Sequence, residues 1–207
     1  MAFAFRRALR VSLTLAAAAV AGFAADSRAA SDLLADFTPA ALTAAPKQVG
    51  EESRSGRPVA LGSRITSGPG SGVKFVLEDR TSVIIGPNSA ITVDEFAADR
   101  VVLRLERGSF HLDSANPGTI YVILPSGSVA VRTATVAGRI GPQGTEIALL
   151  SVGRAEVTGF GGQVVRLDSI GEATRIVGLG NPSQPVTLPP QRLQDFTGLT
   201  AQLALLH

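Results

Sequence analysis

An all-β fold, a solenoid-like or sandwich-like roll of short antiparallel strands with a C-terminal helix, is predicted by three features of this chain. Apolar residues alternate with polar or mixed ones in runs of about five, the period of a strand with one buried face. Residues that favour reversal return about every eight to twelve positions, too often for a helix-crossed parallel sheet. After a cluster of prolines the apolar residues switch to helical spacing.

Taken in order, residues 1–24 read as a signal peptide. Arg6, Arg7 and Arg10 form a basic start, Val11 to Ala24 is an apolar run of about 14 residues, and Gly22-Phe23-Ala24 places small residues where a signal peptidase reads. That run is short of the roughly 20 residues a spanning helix needs, so export and removal are expected, with no membrane span in the mature chain. Ser27-Arg28-Ala29 is a second candidate cleavage site, and the absence of cysteine excludes a lipid-modified N-terminus and a disulfide framework. The leader takes three of the 19 Lys+Arg and none of the 17 Asp+Glu, leaving 16 against 17. A mature net charge near −1 with scattered signs gives no electrostatic footprint for nucleic acid.

Residues 25–58 are rich in Ala, Ser, Pro and Gly and read as an arm or linker, with a short helix capped at Ser31-Asp32. Residues 59–180 form the β domain and its extension. Val73, Phe75 and Leu77 share one face of a strand, and the same period returns at Val83 and Ile85 and at Ile91 and Val93. Asp79-Arg80 and Gly86-Pro87-Asn88-Ser89 supply the turns between them. Later strands are expected at Val101 to Glu106, Ser109 to Asp113, Thr119 to Leu124, Ser128 to Arg132, Glu146 to Ser151, Ala155 to Thr158, Val164 to Asp168 and Ala173 to Val177. Residues 181–207 are a Pro-rich linker and an amphipathic helix whose Leu193, Phe196 and Leu203 share a face, with Gly198 weakening it by about 1 kcal/mol. That stripe either folds back as a lid over the β core or meets a partner.

Several short motifs, in order and spacing, resemble the FecR-like periplasmic domain. They are Thr66-Ser67-Gly68, Phe75 to Asp79, Ile85 to Ser89, Val93-Asp94-Glu95-Phe96, Arg107-Gly108-Ser109-Phe110, and Leu124-Pro125 through Arg132. The residues that carry the resemblance structurally are Gly68, Asp79, Gly86, Pro87, Asn88, Ser89, Asp94, Phe96, Gly108, Phe110, Pro125 and Arg132. Two positions depart from the family, Arg80 where Asp-Gly is usual and Thr133 where Arg-Gly is usual, and both remove a glycine that accepts positive φ freely. The resemblance implies a periplasmic sensing or protein-interaction module. In full-length relatives this domain follows a cytoplasmic anti-sigma segment and a membrane span and relays a signal from an outer-membrane receptor. Here a signal-peptide pattern precedes it, so an accessory role in signalling, bound to another envelope protein, is expected. A structural or secretion-linked envelope protein is the alternative.

Catalytic chemistry is not expected. Ser109, His111 and Asp113 alternate with Phe110 and Leu112 and read as a solvated polar strand face. Asp94, Glu95 and Asp99 match no calcium loop, so no metal or other cofactor is expected. Gly159 to Gly162 reads as a hairpin turn and not as a phosphate cradle. With one Tyr and no Trp there is neither an aromatic stacking platform nor the girdle of an outer-membrane barrel, whose strands would also be longer.

Overall fold

The structure is a computed structural model that describes residues 48–52 and 56–204. The expected leader, the cap at Ser31-Asp32 and most of the arm lie outside those residues. Among the described residues sixteen strands and one helix follow in order: β1 (Gln48–Glu52), β2 (Pro58–Ala60), β3 (Arg64–Thr66), β4 (Val73–Leu77), β5 (Ser82–Ile85), β6 (Ala90–Phe96), β7 (Arg100–Arg107) and β8 (Ser109–Asp113). Then come β9 (Thr119–Leu124), β10 (Gly127–Arg132), β11 (Thr135–Gly141), β12 (Gly144–Leu149), β13 (Arg154–Gly159), β14 (Val164–Leu167), β15 (Glu172–Ile176), β16 (Val186–Thr187) and the helix, α1 (Pro190–Ala204).

The strands build two sheets. One has nine strands in the order β16-β15-β12-β11-β8-β5-β4-β1-β2, the other seven in the order β14-β13-β10-β9-β7-β6-β3. From β4 onward the chain visits the sheets by turns, mostly a hairpin at a time, so each short strand packs its apolar side against the opposite sheet. The shared core includes Phe75, Leu77, Ile85, Val93, Leu103, Leu105, Phe110 and Leu112, all at most 2% exposed. This is the solenoid-like, sandwich-like roll that the alternation predicts. Pairing is antiparallel with one exception: β7 and β9 run parallel, Leu103 opposite Val122. The crossing through β8 in the other sheet supplies the long connection that a parallel pair requires.

Five strands fall where none was named, β1, β2, β3, β11 and β16. Gln48–Glu52, inside the presumed arm, pairs with both β2 and β4. It shows no alternation because its place is set by its neighbours: a Cβ on Gly50 would overlap the Val76 carbonyl of β4. The β domain therefore begins before residue 59. Thr135–Gly141 sits in mid-sheet between β8 and β12, its pattern hidden by Gly138 and Arg139. Val186–Thr187 adds a two-residue edge to β15.

Both positions where glycine is missing keep the backbone that glycine favours. Arg80 has φ 68° and Thr133 has φ 45°. A left-handed L-residue is disfavoured by roughly 1–2 kcal/mol, the β-branched Thr133 most of all. Glycine returns part of that gain as unfolded-chain entropy. Thr133→Gly should therefore raise unfolding stability by about 0.5–1 kcal/mol, read as a higher urea midpoint at unchanged slope. A lower midpoint would mean that the threonine hydroxyl, 3.4 Å from the Asn116 carbonyl, outweighs the strain.

Candidate functional site

The motif residues are spent on the corners where the chain changes sheet. Between β5 and β6, Gly86, Pro87, Asn88 and Ser89 turn from the nine-stranded to the seven-stranded sheet, with Asn88 at φ 54°. Gly108 alone carries the chain back between β7 and β8. Its φ is +89°, and a Cβ there would lie 2.6 Å from Ser89 Cα, so no side chain fits. Three buried serines tie the corners together. Ser67 Oγ donates to the Gly86 carbonyl at 2.5 Å and accepts the Ser89 amide at 2.9 Å, while Ser89 Oγ accepts the Ser109 amide at 3.0 Å. The Gly68 carbonyl accepts the Asn88 amide at 3.1 Å.

Asp79 holds the next turn, accepting from the Thr81 amide at 3.0 Å and from Asn116 Nδ2 at 2.8 Å. Phe96 packs at the margin of the core, Asp94 lies 2.6 Å from Arg104 Nη2, and Pro125 is exposed in the β9–β10 turn. Phe110 is fully buried against Gly138 of β11.

His111 is a correction. Its strand face points away from the core as the alternation requires, yet its exposure is only 9%, because α1 lies across that side of β5, β8 and β11. Phe196 of α1, 2% exposed, enters a small cluster with Ala137, Ala148 and Ala173, residues short enough to let a helix approach. Arg139 lies over the Phe196 ring at 5.6 Å. Arg192 of α1 reaches Glu146 of β12 at 2.9 Å, where Arg139 and Arg175 also converge at 3.4 Å each. Leu193 is half-buried beside Gly171, and the side chain of Leu203 lies outside those described. Phe196 is thus covered by the chain's own sheet.

Burial pushes the His111 imidazole below its ordinary pKa, with Asp113 acting in the opposite direction. The folded chain then binds fewer protons than the unfolded one near the ordinary imidazole pKa of about 6.5. This contribution to stability is present above that pH and is lost as pH falls through it towards the folded value. His111→Gln should flatten the difference in melting temperature between pH 7.5 and 5.5; an unchanged slope would place the pH dependence elsewhere.

The outer face of the seven-stranded sheet is charged and open. Arg100 of β7 lies opposite Thr119 of β9, and Arg132 of β10 lies opposite Arg154 of β13. Arg132 Nε donates to Thr119 Oγ1 at 2.8 Å, which joins these pairs into one row across the sheet. The neighbouring row runs Val102, Tyr121, Ala130, Glu156 and Arg166. Arg100 stands over the Tyr121 ring at 5.0 Å. Most of the arginines have carboxylates: Arg64 with Glu106, Arg100 with Glu95, Arg104 with Asp94, Arg154 with Asp168 and Arg166 with Glu156. Hydrogen bonds from Arg64 hold Glu106 below the usual carboxylate range. Arg132 forms no ion pair among the described residues, and two hollows of about 150 and 400 Å³ adjoin it. Alternation points to this polar face, but cross-strand order within it is not readable from sequence. Among the described residues no three His, Asp or Glu side chains converge as metal ligands.

Residues 63–159 match the family model described as FecR protein, a span that runs from just before β3 to the end of β13. Two crystal structures of a candidate anti-sigma factor from Parabacteroides distasonis ATCC 8503 share the fold, each with a TM-score of 0.54 and 16% identity. The matches cover 65% and 64% of this chain and 63% of the crystallised chain, so this protein spans less than two thirds of that neighbour. At that identity the likeness is one of fold. No curated protein matches.

Proposed function

We propose that this chain, whose residues 63–159 are a FecR domain, is an exported sensing or protein-interaction module of the bacterial cell envelope, non-catalytic and accessory to signalling. The observation that carries this reading is where the motif residues go. Gly68, Gly86 to Ser89 and Gly108 are consumed by corner geometry and buried serine bonds, which leaves a rigid scaffold with one broad charged face for recognition. The neighbours described as anti-sigma factors favour a partner protein over a substrate. The leader pattern of residues 1–24 supports a periplasmic location.

A structural, self-assembling envelope protein would present long free strand edges. The edge strands here, β2, β3, β14 and β16, have two to four residues, which favours the partner-binding reading. In-cell crosslinking of the tagged protein, with mass spectrometry of the osmotic-shock fraction, tests the proposal. The expected result is a chain beginning near Ala25 joined to one dominant envelope protein. Intact Met1 in the membrane pellet would overturn export, and capture only of further copies of itself would favour the structural alternative.

A further inference from the structure

We infer that the arginine row on the seven-stranded sheet is a binding site for a small oxyanion, a carboxylate or phosphate group, centred on Arg132. This inference stands apart from the proposed partner binding. Like charges directly opposite each other in a ladder destabilise the pair, and Arg132 faces Arg154 in register. The flanking members are already committed outward. Arg154 Nε donates to Asp168 at 2.8 Å on the far side, and Arg100 pairs with Glu95 at 3.2 Å on the other. Three arginines thus meet two carboxylates, and the surplus charge rests on the central one.

The central guanidinium is also oriented. Arg132 spends its Nε–H on Thr119 Oγ1, which pins the plane of the fork and leaves the terminal nitrogens to face an oxyanion edge-on. Thr119 accepts in that bond, so its own hydroxyl hydrogen is available to a ligand in the adjoining hollow. Thr119 is 8% exposed, and Tyr121, fixed beneath Arg100, walls both hollows. Asp99 lines the larger hollow and Glu156 the smaller one. Among the described residues Asp99 makes no ion pair with Arg132 and Glu156 pairs with Arg166, so Arg132 keeps no carboxylate partner of its own. The smaller hollow, about 150 Å³, has room for one compact anionic group.

Titration of the isotope-labelled protein with inorganic phosphate and, separately, with succinate in a low-salt zwitterionic buffer tests the site by nuclear magnetic resonance. Saturable shifts are expected at Thr119, Tyr121 and the Arg132 Nε–H, with Arg132→Gln weakening binding at least tenfold and Lys74→Gln, on β4 in the nine-stranded sheet, leaving it unchanged. Saturation by phosphate alone assigns a phosphoryl ligand, and by succinate alone a carboxylate. Melting supplies a second readout: anion should raise the wild-type midpoint and not that of Arg132→Gln, which without anion should melt no lower than wild type because the like-charged pair is relieved. No saturable shift with either anion, or an Arg132→Gln midpoint depressed equally in all buffers, would make Arg132 a structural tie to Thr119 and overturn the assignment.

Discussion

Phe110→Ala should lower the unfolding free energy by about 3–5 kcal/mol, the range for deleting a buried aromatic from a packed core. The ring is fully buried, and two neighbours make its loss hard to absorb. On one side Gly138 has no side chain, and the ring occupies the place of its absent Cβ. On the other, Ile85 of β5 is paired opposite Phe110 and is itself fully buried. Neither a glycine nor a locked β-branched residue can swing in to fill the hole. His111→Ala, one residue on, should cost only about 1 kcal/mol, since it removes a side chain from the margin of the helix contact and not from the inter-sheet core. Equal losses in chemical denaturation would mean that the cavity at Phe110 collapses by a rearrangement this packing does not suggest.

The contrast between those neighbours marks how far the sequence could be read. Alternation assigned the inward face correctly at Phe75, Leu77, Ile85, Val93, Leu103, Leu105, Phe110 and Leu112, because burial between two sheets imposes a period of two on every strand. It misjudged His111, since a period says which residues share a face and nothing about what later covers that face. The cover comes from α1, about eighty residues downstream, onto a floor of Ala137, Ala148 and Ala173. Those alanines come from three strands, so the floor has no local signature.

Turn chemistry was legible at Gly86 to Ser89, where each residue type has its own conformational reason. The missing glycines at Arg80 and Thr133 marked positive φ through the family pattern, and the backbone there keeps it. The arginine row is the opposite case. Arg100, Arg132 and Arg154 are separated by 32 and 22 positions in the chain, and only the register of β7, β9, β10 and β13 aligns them.

Deleting α1 from Pro190 onward should lower stability by about 2–3 kcal/mol, the worth of one fully buried large apolar side chain, and should create a dye-binding apolar surface. Phe196→Ala should cost nearly the same. The helix packs through a small cluster separate from the inter-sheet core, so it can leave the sheet without unfolding the sandwich, and local release caps the loss from any single helix substitution at the free energy of docking. Phe196 supplies most of that energy, because Gly198 weakens the helix and the floor beneath it is alanine. Release would also free Glu146 from Arg192 while Arg139 and Arg175 still hold it, so the carboxylate is never left bare and the released state has no buried-charge penalty. Equal losses for the deletion and for Phe196→Ala, measured by denaturation together with increased exchange at the β8 and β11 amides, are therefore expected. A truncated protein that melts like the intact one while losing its crosslinked partner would show instead that α1 belongs to the partner surface, and that the contact at Phe196 gives way when the partner arrives.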